Sequence, residues 1–191
     1  MAGKMENFKV VKWEPRRFIG KSVYSRAIFD GSEEDLISCR LFGKLWGEKD
    51  WIFKTIDSLS EYATDEIHNI ALTTWERYDD KNQLLGYTVG RFMKANTPVP
   101  KYMDYIEIPE MYVAKATIRA SFNLVDALTT GEYYYIVGEG ETLLCDELRR
   151  QDMYNPATNI FVAEGYSETP DDNGNISAWE FYCACNLKVP Q

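Results

Sequence analysis

Apolar and polar positions alternate, or apolar ones run together, in FKVVKWEPRRFIGKSVYS from Phe8 and again in YIEIPEMYVAKATIRA from Tyr105. Such spacing, rich in Val, Ile and Tyr, predicts extended strands. Between Glu33 and Tyr62 the spacing lengthens. Leu36, Ile37, Leu41, Leu45, Ile52, Phe53, Ile56 and Leu59 recur at intervals near three and four, as an amphipathic helix requires. Ser32 before Glu33, Glu34 and Asp35 predicts the start of that helix, since acids in a first turn meet the positive end of the helix dipole. A second helical region is predicted in SFNLVDALTTGEYYYIVGEGETLLCDELRRQ from Ser121, broken at Gly131 and at Gly138 with Gly140. A hairpin is predicted after each helical region, with turns at DDKNQ and TPDDNGN.

The same order of patterns therefore occurs twice. PRRFIGKSVYSR aligns without gaps to PEMYVAKATIRA, pairing Pro15 with Pro109, Phe18 with Tyr112, Gly20 with Ala114 and Lys21 with Lys115. NIALTTWERYDD, from Asn69, parallels NIFVAEGYSETP, from Asn159. These parallels predict an α+β fold of two pseudo-symmetric β-α-β-β repeats, about 6–94 and 104–190, with a linker around Pro98 and Pro100. The two repeats form one domain over 1–191 with a central aromatic cleft, where sheet and helices meet.

Composition narrows the function classes. The formal net charge is −9 and no Lys/Arg-rich run occurs, so a phosphate backbone is repelled and direct nucleic-acid binding is not expected. Thirteen Tyr, nine Phe and five Trp exceed what a core of this size needs, and flat rings suit a ligand pocket. An acidic surface favours cationic small molecules or nothing in particular. No stretch approaches the ~18 apolar residues of a membrane span, and MAGKMENFKVV carries no apolar targeting segment, so a cytoplasmic protein is expected. Cys183 and Cys185 share one strand face at roughly 7 Å, too far apart for an unstrained disulfide, and are read with Cys39 and Cys145 as structural thiols.

The chemistry-bearing candidates lie mainly in the last hairpin. Glu164 and Glu180 are carboxylates set among Trp, Phe, Tyr and Cys. If they face each other across the hairpin, shared charge raises one pKa, as in general acid/base pairs. Tyr112, Tyr134, Tyr166, Tyr182, Trp46, Trp75 and Trp179 are the candidate ring residues. His68 stands among helix charges and gives no triad. Gly138-Glu139-Gly140 lacks the third glycine of a dinucleotide site, since Leu143 stands there, and no cofactor or metal site is expected.

The chain resembles the GyrI-like small-molecule-binding family, the effector-binding domain of multidrug-sensing regulators. The resemblance is carried by Ile108, Pro109, Tyr112 and Ala114 in IPEMYVAKATIRAS, by Glu164 and Tyr166 in NIFVAEGYSE, and by Glu180 with Val189-Pro190 in the closing strand. It departs from the family where CACNLK lengthens that strand and where YYYIVG stands in place of a Trp-bearing helix. The resemblance implies a central aromatic pocket with a carboxylate for hydrophobic or cationic drug-like molecules. In one branch it implies hydrolysis of cyclopropane-bearing DNA-alkylating compounds within an aromatic cage. Three classes stay open: a stand-alone binding protein, acting as a monomer or weak homodimer, that sequesters xenobiotics; a hydrolase; and a gyrase-inhibitor-like protein acting by surface contacts.

Overall fold

The computed structural model describes residues 3–26, 32–63, 69–74, 84–154, 160–166 and 173–185. Eight strands among them form a single antiparallel sheet: β1 (Lys4–Trp13), β2 (Arg16–Ser25), β3 (Asn69–Thr74), β4 (Leu85–Lys94), β5 (Asp104–Ile108), β6 (Met111–Asn123), β7 (Phe161–Tyr166) and β8 (Asn175–Cys185). Their order across the sheet is β1-β6-β8-β7-β3-β4-β2-β5. Helices α1 (Glu33–Gly47) and α2 (Lys49–Asp57) follow β2, and α3 (Leu124–Thr130) and α4 (Tyr133–Arg150) follow β6. The architecture is α+β, as expected from the change of hydrophobic period.

Local chemistry sets the joints. Pro15, with no amide hydrogen to give a ladder, lies between β1 and β2 and splits the predicted single extended segment. Ser32 stands at the N-cap of α1, with Glu33, Glu34 and Asp35 in its first turn. Gly131 ends α3 at φ 85°, a left-handed conformation that glycine takes without a Cβ clash. Gly138 and Gly140, by contrast, do not interrupt α4, which runs eighteen residues through both. Packing outweighs their propensity cost of about 1 kcal/mol each, because Val137, Leu144, Cys145 and Leu148 bury the helix along its length.

The two faces of the sheet are covered differently. On one, Phe42 and Leu45 of α1, Ile52 and Ile56 of α2 and Leu144 of α4 pack on Tyr87, Val89, Ile118 and Phe181. On the other, a core of Trp13, Phe18, Leu72, Phe92, Ile108, Val113, Phe161 and Tyr182 draws on all eight strands. Trp13, on edge strand β1, reaches Phe92 of β4 at 4.8 Å and Phe161 of β7 at 5.9 Å between ring centroids. Strands so far apart in the order meet only because the twisted sheet curls around that face. At the β2–β4 pairing Gly20 stands opposite Gly90, and a Cβ on either would lie 2.2 or 2.1 Å from a neighbouring carbonyl oxygen.

The chain runs strand, helices, strand, strand twice, from β2 to β4 and from β6 to β8. The residue pairings expected from the ungapped alignment do not hold. Phe18 belongs to the strand-only core, whereas Tyr112 packs against the helix-side core, so the two point to opposite faces. With a side-chain period of two, an alignment one residue out inverts every position.

Candidate functional site

Strand β7 lies in the middle of the sheet, between β8 and β3. Its alternation sends Phe161 and Ala163 to the strand-only core and Val162 and Tyr166 to the helix side. Glu164 shares the helix-side parity, opposite Ala71 on β3 and Phe181 on β8. A carboxyl is thus carried beneath α4, where it is 2% exposed. An ionised carboxylate there costs several kcal/mol unless partners compensate.

Two phenols compensate in part. Tyr133, at the start of α4, donates to Glu164 Oε2 at 2.5 Å, and Tyr166 donates to the same oxygen at 2.7 Å. Among the described residues Oε1 accepts no hydrogen bond. The Tyr133 hydroxyl also lies 2.9 Å from that of Tyr87, which accepts from Trp46 Nε1 at 2.9 Å. A chain of side chains from α1 (Trp46), β4 (Tyr87) and α4 (Tyr133) therefore ends on β7. Burial pushes the Glu164 carboxyl up to about 7, the hydrogen bonds from Tyr133 and Tyr166 pull it down, and the charge of Glu141 pushes it up. Burial also raises the phenols of Tyr87, Tyr133 and Tyr166 well above their ordinary value, so they remain donors at neutral pH.

Beside Glu164 lies a cavity of about 60 Å³. Phe42, Leu85, Tyr87, Tyr133 and Tyr134 supply most of its ring and apolar wall, and Glu141 is its second acid. Phe42 stacks on Tyr87 at 3.9 Å and 12°. Tyr133 and Tyr134 present their edges to Phe42 at 6.4 and 6.1 Å. Glu141 is likewise raised by burial, against the opposing charge of Arg149. A wider cleft of about 1280 Å³ opens between the end of β6, the start of α3 and α4, and it shares Tyr134, Gly138 and Glu141 with the inner cavity.

The sequence-derived candidates divide accordingly. Glu164, Tyr134, Tyr166 and Trp46 come together around the buried carboxyl. Glu180 does not join them. It pairs with Gly165, so Glu164 and Glu180 point to opposite faces, and the expected carboxylate pair across the hairpin is corrected by the register. Glu180 Oε1 accepts from Thr117 at 2.7 Å, and its Oε2 lies 3.4 Å from Lys115 Nζ. Tyr182 shares that face and packs on Trp13 and Phe92. Trp179 is on the helix side but packs edge-on against Phe122, away from the cavity wall. Tyr112 is half-buried, opposite Lys12 on β1 and Cys185 on β8. Trp75 and His68 lie outside the described residues. All four cysteines are buried free thiols.

Sequence reasoning missed Tyr133, Tyr87, Phe42 and Glu141. Tyr87 was legible in the alternation of LGYTVGRF, which sets it on the same face as Leu85 and Val89. Phe42 follows at helical spacing from Ser38 and Cys39, which are buried while Ile37 is half exposed. Nothing local distinguishes Tyr133 from Tyr134 and Tyr135. The helix phase decides: Tyr133 is 2% exposed and Tyr135 69%.

No family model matches the chain, and neither does any curated protein sequence. Solved structures do share its fold. A Staphylococcus aureus MU50 protein described as a bacterial transcription regulation protein superposes with TM-score 0.58 at 10% identity, over 95% of this chain and 99% of that one. SAV2435, solved with tetraphenylphosphonium bound, gives TM-score 0.56 at 9% identity over 95% and 94%. An integron cassette protein from the mobile metagenome of Vibrio cholerae gives 0.50 at 10% identity over 97% and 100%. At these identities the likeness is one of fold. Among the described residues no helix is long and apolar enough to cross a membrane.

Proposed function

We propose that the protein binds hydrophobic cations in the ring-lined space beneath α4, with Glu164 as their counter-charge. One observation carries the proposal: a carboxyl only 2% exposed, with Oε1 left without a hydrogen bond, lines a cavity walled by Phe42, Tyr87, Tyr133 and Tyr134. A cation entering there gains the faces of the rings and a low-dielectric charge partner, worth far more than in water. It also relieves the cost of ionising Glu164. The fold shared with SAV2435, which holds tetraphenylphosphonium, supports this reading. So does the GyrI-like resemblance at Glu164 and Tyr166, and we read the two strand-helix-hairpin halves as diverged copies of one unit. A drug-sized ligand needs roughly 300 Å³ or more, so it occupies the cavity together with the adjoining cleft. Free buried cysteines fit a cytosolic location.

Calorimetric titration with tetraphenylphosphonium tests the proposal. Wild type is expected to bind, and Glu164→Gln to bind about 10- to 100-fold more weakly, the worth of one charged contact. Equal affinity in the two proteins overturns it.

One observation favours a second reading. A carboxyl at about 7 beside two phenols holds or delivers a proton at neutral pH, as hydrolytic opening of an electrophilic ring requires. Turnover of a cyclopropanoid substrate, lost in Glu164→Gln, separates an enzyme from a binding protein.

A further inference from the structure

The two glycines inside α4 have different surroundings. A Cβ on Gly140 would touch Ile118 and Trp179 at 3.4 Å, so the helix packs closely on β6 and β8 there. A Cβ on Gly138 would meet nothing within 4 Å. A helix-interior glycine carries a propensity cost, which at Gly138 is offset by the packing of the rest of α4 and not by any close approach of its own. Gly138 instead lies on the border between two spaces. With Tyr134 four residues before it and Glu141 three after it, on one face of the helix, it lines both the 60 Å³ cavity and the 1280 Å³ cleft.

The two spaces differ in character. The inner one is walled by rings and holds Glu164. The outer one is lined by Asp126, Glu132, Glu139 and Glu141 and, among the described residues, by no Lys or Arg. The inner cavity has in addition the unbonded Oε1 of a carboxyl that is 2% exposed.

We propose that Gly138 is the doorway that determines specificity, and that the preferred ligand is an elongated dication. A flat aromatic cationic head passes Gly138 to meet Glu164, and a second cationic centre stays in the acidic cleft. This inference rests on the binding function proposed above and adds the class of ligand. A side chain at position 138 would fill the passage between the two spaces. A ligand with one small head gains only the inner contact, whereas a two-headed one gains both, and the tether raises the effective concentration of the second head.

The test uses benzamidine as the single flat head and hexamidine, two benzamidine-type heads on an alkyl tether, as the dication. Wild type is expected to bind hexamidine about tenfold or more tighter than benzamidine. Gly138→Leu is expected to weaken both by about tenfold or more while its melting temperature rises, because leucine is the better helix former. Gly138→Ala is expected to fall between. Replacing Glu132 and Glu139 together by Gln is expected to weaken hexamidine more than benzamidine and so remove most of the hexamidine preference. Wild-type affinity for both probes in Gly138→Leu overturns the doorway, and so does a Leu variant that unfolds early while Gly138→Ala binds normally. Equal wild-type affinity for the two probes overturns the second centre. Failure of wild type to bind benzamidine, hexamidine and tetraphenylphosphonium alike overturns the binding function itself.

Discussion

The hydroxyl of Tyr133 donates to Glu164 Oε2 at 2.5 Å, joining the first turn of α4 to the middle strand β7. The bond favours the ionised carboxyl, and burial opposes it. Burial wins, and the carboxyl titrates near neutrality rather than in the usual range of a glutamate.

Tyr133→Phe removes that donor and leaves Tyr166 alone on Oε2. The Glu164 pKa is expected to rise above 7, so cation affinity at pH 7 falls and recovers at higher pH. The fold is expected to lose about 1–2 kcal/mol, because Tyr87 also loses its hydroxyl neighbour. Carboxyl carbon shifts against pH, read by NMR, check the first part, and urea unfolding checks the second.

Glu164→Gln is expected to change how stability depends on pH. The folded carboxyl titrates at about 7 against 4.5 for the ordinary group, so between those values the folded state holds a proton that the unfolded chain has lost. Wild type therefore loses stability from this site as pH rises through that window. The variant lacks the loss, and its advantage grows to about 3 kcal/mol above pH 7. A difference in unfolding free energy that stays constant from pH 4 to 8 refutes the assignment.

Gly20→Ala and Gly90→Ala are each expected to cost about 3 kcal/mol or more. The atoms a Cβ would strike are backbone oxygens of the paired strand, which cannot move without breaking the β2–β4 ladder. Gly47→Ala, where a Cβ meets nothing within 4 Å, is the control and is expected to be neutral or mildly stabilising. Denaturant midpoints for the three variants distinguish close approach from general glycine effects.

Glu180→Gln is expected to leave tetraphenylphosphonium affinity within about twofold, because the side chain points away from the cavity. Stability is expected to fall by about 1 kcal/mol through the lost ion pair with Lys115, whose side chain is 12% exposed, while an amide oxygen still accepts from Thr117. A large loss of binding with unchanged unfolding would return Glu180 to the site.

Hydrophobic period determined the element types. Alternation in the strands and three-and-four spacing after Ser32 follow from each element's own geometry and need no partner. Even there the helix phase escaped. The apolar positions from Leu36 include an exposed Ile37, and the buried face runs instead through Ser38, Cys39, Phe42 and Trp46. Gly138 and Gly140 read as breakers because propensity is local, whereas packing on β6 and β8 carries α4 through both.

The sequence by itself also singled out Glu164 and Glu180 as carboxylates in apolar surroundings. Which one is enclosed was decided by register alone. Pairing Glu180 with Gly165 sends it to the strand-only face, where Lys115 and Thr117 hold it, and sends Glu164 beneath α4. A shift of one residue between β7 and β8 would have put both on the same face. Register, curl and the seating of α4 are set by contacts between segments far apart in the chain, such as Tyr87 with Tyr133 and Tyr133 with Glu164. A carboxyl's proton affinity depends on those contacts, so residue types fixed the available chemistry, and only the tertiary structure decided where it can act.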